Sequence, residues 1–194
     1  LVADGAVYVS HDEKSNKLNA ILSAHVDDLK GGAKRQTALD LKRHLEKHVG
    51  ECKWQEGTFL HTGIEHQYSE KGIYAQQTAY IAGLKPIPKA DFQEQNKDEE
   101  LAHDKLKDVY ISVLGGVAWV GQTRPDATVF IQALQRRSQA PRIVDCKRLN
   151  TVIRYLQRKH VGIWYGRLKG KLKIVAWLDA AFKTQPDDSS GLTL

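Results

Sequence analysis

Ala20-Ile21-Leu22-Ser23-Ala24-His25-Val26-Asp27-Asp28-Leu29-Lys30-Gly31-Gly32 is an apolar run that ends in two adjacent carboxylates and then two glycines. Its length and β-branched content are those of a buried strand, and the glycines beyond it allow a tight reversal. The stretch therefore reads as a strand that delivers Asp27 and Asp28 to, or close to, a hairpin tip. Successive strand side chains point to opposite faces, so one carboxylate faces a shared site while its neighbour turns away. Mg²⁺ takes one or two protein carboxylates and completes its shell with water and phosphate, so such a tip suits it. A solvated turn is the commoner origin of an isolated Asp-Asp pair, and the rest of the chain has to decide.

Immediately upstream, residues 6–10 and 18–26 are strand-like runs separated by the polar loop His11-Asp12-Glu13-Lys14-Ser15-Asn16-Lys17. Together they predict an antiparallel hairpin whose second strand carries the carboxylates. Downstream, Ala38, Leu41, Leu45 and Val49 recur at helical spacing over 34–49, with Gly50 as the stop. The other face of that helix carries Lys34, Arg35, Lys42, Arg43 and Lys47, which suits either a phosphate backbone or plain solvent. His44, His48 and Cys52 stand at i, i+4 and i+8, a spacing with zinc-ligand geometry on a continuous helix. Gly50 breaks that helix and no fourth ligand lies near, so exposed histidines beside a packed cysteine are expected.

Residues 57–68 and 72–76 read as two strands around Ser69-Glu70-Lys71-Gly72, with Gly63 in mid-strand marking a bulge, a close backbone approach or a packing need. Residues 76–83 predict a short helix with Tyr80 and Ile81 turned inward. Pro86, Pro88 and the polar stretch 91–100 then read as a linker whose composition buries little. Beyond it, Leu106, Tyr110, Val113, Leu114 and Val117 form an apolar helical stripe, with Gly115-Gly116 permitting a close neighbour. Thr123-Arg124-Pro125-Asp126 reads as a helix start, Thr123 capping and Pro125 just inside. After Pro141 another helix is expected, with Leu149, Val152, Ile153 and Leu156 inward. The runs 163–168 and 172–178 flank Lys169-Gly170 as a last hairpin that ends in Asp179.

The chain has 194 residues, enough for one or two domains, and 41% hydrophobic content, enough for a core. Its formal charge of +6 favours a polyanionic partner. The imbalance is concentrated over 127–173, where Arg136, Arg137, Arg142, Lys147, Arg148, Arg154, Arg158, Lys159, Arg167, Lys169, Lys171 and Lys173 meet one acidic residue, Asp145. An electrostatic face that neutralises phosphates has this composition. Cys52 and Cys146 lie far apart and read as reduced thiols of an intracellular protein, cytoplasmic or nuclear. No apolar run approaches spanning length, which argues against a bilayer role. The chain begins at Leu1 and contains no methionine, and it reads as a piece of something longer.

His25-Val26-Asp27-Asp28, after an apolar strand and before Leu29, resembles the Tyr-x-Asp-Asp hairpin of reverse transcriptases. The flanks resemble the copia-type retrotransposon branch. Asp4-Gly5-Ala6-Val7-Tyr8 stands where that family has a strand before the hairpin. In the family's order there follow Phe59-Leu60 with Gly63-Ile64-Glu65, Gly72-Ile73-Tyr74 with Gln77 and Tyr80, Gly116 and Trp119 leading to Thr123-Arg124-Pro125-Asp126, Ile153-Arg154-Tyr155-Leu156, and Trp177-Leu178-Asp179-Ala180. The order along nearly the whole chain is what makes the resemblance specific.

The resemblance implies an α+β chain: antiparallel palm-like hairpins with packed helices, then a helical thumb or connection, then the first strands of a ribonuclease H-like domain. The implied divisions are 1–85 for the end of the palm, 86–101 for a linker, 102–160 for the thumb or connection, and 161–194 for the start of ribonuclease H. It implies RNA-directed DNA synthesis by two-metal phosphoryl transfer in a complete enzyme, with Asp27 and Asp28 catalytic and Asp27 and Asp179 binding Mg²⁺. The implied partners are an RNA/DNA template–primer duplex, deoxynucleotides and the remainder of the polyprotein. The duplex is expected to be gripped by Lys34, Arg35, Arg136, Arg137, Arg148, Arg154, Arg158 and Lys159. Departures are His25 for the usual Tyr, Ala181 for a usual second Asp, and the lack of an upstream catalytic Asp; Asp4 matches a different family position. The fragment is therefore expected to be inactive alone. Two alternatives are a non-enzymatic nucleic-acid-binding protein that uses the basic half, and a decayed transposon remnant.

Overall fold

The computed structural model describes residues 6–26, 28–92, 97–168 and 170. The chain is α+β, with two antiparallel sheets and five α-helices among these residues. The first sheet is ordered β1 (Val7–His11), β2 (Leu18–His25), β3 (Asp28–Ala33). Tyr8 pairs with Leu22 and Val9 with Ile21 on one side of β2, while Leu22 pairs with Gly31 and His25 with Asp28 on the other. The loop between β1 and β2 is held by Asp12, whose carboxylate accepts from the Ser15 amide and hydroxyl, both at 2.8 Å.

One expectation is corrected here. Gly31 and Gly32 do not make the reversal; they lie inside β3, and the chain reverses between His25 and Asp28, which pair, with Val26 at φ 55°. Gly31 is required for a different reason: a Cβ there would strike the Ile21 carbonyl oxygen and the Leu22 side chain.

Helix α1 (Arg35–Val49) packs on β2 and β3 and ends at Gly50, whose φ of 91° favours glycine. Ala38, Leu41 and Leu45 are half-buried as the spacing predicts, but Val49, the last residue of the helix, is 72% exposed. The second sheet is ordered β4 (Thr58–His61), β5 (Ile64–Ser69), β6 (Gly72–Gln76), β7 (Ile163–Gly166). The run expected as one strand over 57–68 is thus two. Thr62 and Gly63 both have positive φ, 49° and 76°, and close a two-residue turn of the kind whose twist matches antiparallel strands. Gly63 is therefore a turn residue and not a mid-strand bulge. The last strand pairs with β6, Ile73 opposite Tyr165, and ends at Gly166 instead of continuing to 168. The expected partner run 172–178 and Asp179 lie outside the described residues.

The main core lies among α2 (Thr78–Gly83), α3 (Asp104–Val120), α4 (Pro125–Gln135) and α5 (Ile143–Arg158). Leu106, Tyr110, Leu114, Val117 and Val120 are the buried stripe of α3, and Leu149, Ile153 and Leu156 that of α5. The Tyr80 hydroxyl donates to the Gly116 carbonyl at 3.1 Å, and Gly116 leaves room for this contact with Leu84 beside it.

The stretch read as a linker is stitched to this core. Ile87 is buried, and Asn150 holds both of its backbone groups, accepting from its N–H at 2.7 Å and donating to its carbonyl at 3.0 Å. The carbonyls of Asp98 and Glu100 accept from the amides of Val144 and Ile143, satisfying donors that the first turn of α5 leaves open. Asp98 also pairs with Lys147 at 2.7 Å. Low hydropathy hid a segment whose backbone, more than its side chains, does the packing.

Candidate functional site

The β2–β3 hairpin presents its tip to solvent. Val26 is 94% exposed, Asp28 opens β3 opposite His25, and Asp27 lies outside the described residues. The Asp28 carboxylate stands 3.9 Å from His61 Nδ1. Two residues along, Lys30 Nζ donates to His66 Nε2 at 2.8 Å, while His66 Nδ1 lies 3.0 Å from the Ile64 carbonyl. The hydrogen bonds thus assign a neutral imidazole with its proton on Nδ1. Burial, and then the nearby Lys30 charge, push both His61 and His66 below the ordinary imidazole range, and burial also lowers Lys30. Phe59 stacks on the His66 ring at 4.9 Å.

Between this hairpin, α1 and β4 lies a cavity of about 470 Å³, lined by Leu22, Leu29, Leu41, Leu45, Trp54 and Phe59 together with Asp28, Lys30 and His61. Among the described residues that line it, Asp28 supplies the one carboxylate. A hard cation wants several oxygen ligands; the Asp28 carboxylate has the His61 imidazole beside it at 3.9 Å, and no group of three or more metal-ligating side chains converges among the described residues. The His44 and His48 rings lie 4.3 Å apart, tilted by 36°, and the Cys52 thiol points to the Gly50 carbonyl at 3.5 Å.

The basic residues divide into two sets. Lys34 and Arg35 are exposed at the start of α1, which packs on the first sheet, whereas α5 packs on α2, α3 and α4. Arg148, Arg154 and Arg158 are exposed on the outer side of α5, Lys159 follows its end, and Arg136 and Arg137 are exposed just after α4. Arg148 leans on Asp145 at 3.4 Å and Arg154 on the Thr151 hydroxyl at 3.1 Å. The α5 set is thus a solvent-facing cationic surface backed by an apolar one. Among the described residues no helix is long and apolar enough to cross a membrane.

What orients that surface is a residue that sequence reasoning undervalued. Arg124 is 0% exposed, and its Nε and Nη2 donate to Asp126 at 2.9 and 2.8 Å, a two-point clasp. Its Nη1 reaches across to the carbonyls of Leu156 at 3.2 Å and Lys159 at 2.7 Å, closing the open end of α5. The Tyr155 hydroxyl donates to Asp126 at 2.7 Å, and the Tyr155 ring stands 5.4 Å from the guanidinium carbon. Arg124 hydrogen bonding pulls Asp126 down to about 2. Thr123, expected as the cap of α4, is not one: Arg124 occupies that position without a side-chain cap, and the Thr123 hydroxyl donates to the buried Gln77 at 2.8 Å. An arginine two residues before an aspartate, at a helix start, was the signal that the sequence offered.

Comparison with protein-family models, with curated proteins and with solved structures finds no match for the chain.

Proposed function

We propose that this chain is the template–primer-gripping part of a copia-type retrotransposon reverse transcriptase: the end of the palm, a helical thumb or connection, and the opening of ribonuclease H. The observation that carries the reading is the α5 surface, where Arg148, Arg154 and Arg158 face solvent while Leu149, Ile153 and Leu156 face the core. A helix with this division lays several cations along a phosphate backbone. Binding of that kind depends on shape and charge more than on base identity, and it weakens steeply with salt. A second support is the hairpin tip after His25, where Val26 and Asp28 are exposed, at the place in the chain where the resemblance expects its carboxylates.

In this reading Mg²⁺-dependent DNA synthesis belongs to the complete protein. Asp27 and Asp179 are its expected metal ligands, and Asp28 is a supporting neighbour. The alternative, a nucleic-acid-binding protein without catalysis, rests on the same α5 surface.

Primer extension on an RNA template separates the two. The chain alone is expected not to extend. The chain joined to a palm segment that supplies the upstream Asp is expected to extend with Mg²⁺ and to lose extension on Asp27→Asn. Extension that survives Asp27→Asn would remove the polymerase reading and leave the binding one.

A further inference from the structure

On the second sheet, Tyr68 of β5 pairs with Ile73 of β6, and Ile73 pairs with Tyr165 of β7. Directly paired residues of antiparallel strands project from the same face, so the three side chains form one row across three strands. They are 63%, 39% and 56% exposed, whereas His66 and Ala75, farther along that face, are buried. The open end of the face is thus aromatic, and the closed end is packed under Lys30. Two strand spacings put the outer rings about 10 Å apart, enough for each to take a separate base. Lys71 and Arg167 are exposed beside the row and are held together by the Arg167 amide donating to the Lys71 carbonyl at 2.8 Å; Glu70 is the acidic neighbour in the turn.

We infer that this row is a stacking platform for the unpaired bases of a single-stranded nucleic acid, a site separate from the duplex surface on α5. Exposed rings on a sheet have π-faces that accept any base, and flanking cations meet the backbone. The sequence preference is accordingly weak, and the salt dependence is shallower than that of the α5 surface.

The test uses the full chain with fluorescein-labelled oligouridylate and a labelled hybrid duplex, read by anisotropy, for wild type, Tyr68→Ala/Tyr165→Ala and Tyr68→Phe/Tyr165→Phe. Circular dichroism verifies the fold of each. Loss of stacking is worth roughly 5- to 150-fold per ring, so the alanine pair should weaken oligouridylate binding at least tenfold and leave duplex binding unchanged. The phenylalanine pair should bind oligouridylate within about twofold of wild type, because the ring and not the hydroxyl stacks. Ultraviolet crosslinking should place uridine on Tyr68 or Tyr165. Several outcomes overturn the inference: no oligouridylate binding by wild type, equal binding by the alanine pair, or a change confined to self-association, which would make the row a protein interface. Failure of the α5 reading looks different, since it removes duplex binding and spares oligouridylate.

Discussion

Replacing Arg124 with Ala should cost more than any surface change in this chain, and the cost can be worked from its contacts. The substitution removes two charge-assisted hydrogen bonds to Asp126 and both donors to the Leu156 and Lys159 carbonyls. It leaves Asp126 with the Tyr155 hydroxyl and a backbone amide. Breaking a buried ion pair by removing one partner costs about 3–5 kcal/mol. The Asp126 side chain is 30% exposed, so water recovers part of the loss and the lower end, about 3 kcal/mol, is expected. With a urea dependence of about 2 kcal/mol per molar, the unfolding midpoint falls by roughly 1.5 M. Arg124→Lys keeps the charge but cannot span two carboxylate oxygens and two carbonyls, so it should recover less than half of that loss. A midpoint within about 0.3 M of wild type for Arg124→Ala, or full recovery by Lys, would refute the view that this residue joins α4 to α5.

Other expectations follow from the same contacts. Asp126 falls from 3.8 to about 2, chiefly through Arg124, so its stabilisation is complete above pH 3.8 and is lost as pH drops through about 2. That drop corresponds to about 2.4 kcal/mol, trimmed by solvent to roughly 1–2, and acid titration of Asp126→Asn should lack this component. Asn150→Ala orphans both backbone groups of buried Ile87 and should cost about 2–4 kcal/mol in thermal or urea unfolding; a loss under about 1 kcal/mol would mean that water replaces the amide. Gly31→Ala should disrupt the β2–β3 hairpin while Gly32→Ala, with open space around its Cβ, stays within about 0.5 kcal/mol of wild type, and equal effects would contradict the register. Burial, and then Asp145, push the Cys146 thiol up to about 11, so a thiol reagent at pH 8 should label Cys52 first and Cys146 only on unfolding.

Elements with strong periodicity are legible in the sequence. The stripes of α3 and α5 follow from apolar spacing alone, since burial of one face is what that pattern encodes. The β1–β2 hairpin is legible as strands, but the run read as a buried strand has only Ala20 buried among its described residues, with Ile21 47% exposed. The misreadings occur where backbone groups decide. Thr62-Gly63 closes a turn without the usual Asn-Gly signal, so one apolar run concealed two strands. Gly31 sits in a strand because Ile21 and Leu22 crowd it, whereas a glycine pair in sequence looks like a turn. Residues 98–100 cap α5 through carbonyls that every sequence possesses, which no composition can reveal. Of the candidate site, the basic α5 surface was legible from its one-sided charge. The Lys30–His66 contact was not, because it joins residues 36 apart in sequence, on two different sheets.

The most direct test of the central claim is the affinity of the whole chain for an RNA/DNA hybrid, measured against salt, for wild type and for Arg148→Gln/Arg154→Gln/Arg158→Gln. Wild type should lose affinity steeply as salt rises. In the variant the slope should be shallower by about two to three, near 0.9 per phosphate contact removed, with the same weakening on unrelated sequences. Hybrid binding that keeps its full salt slope without those three arginines would contradict the assignment of α5 as the duplex-gripping surface.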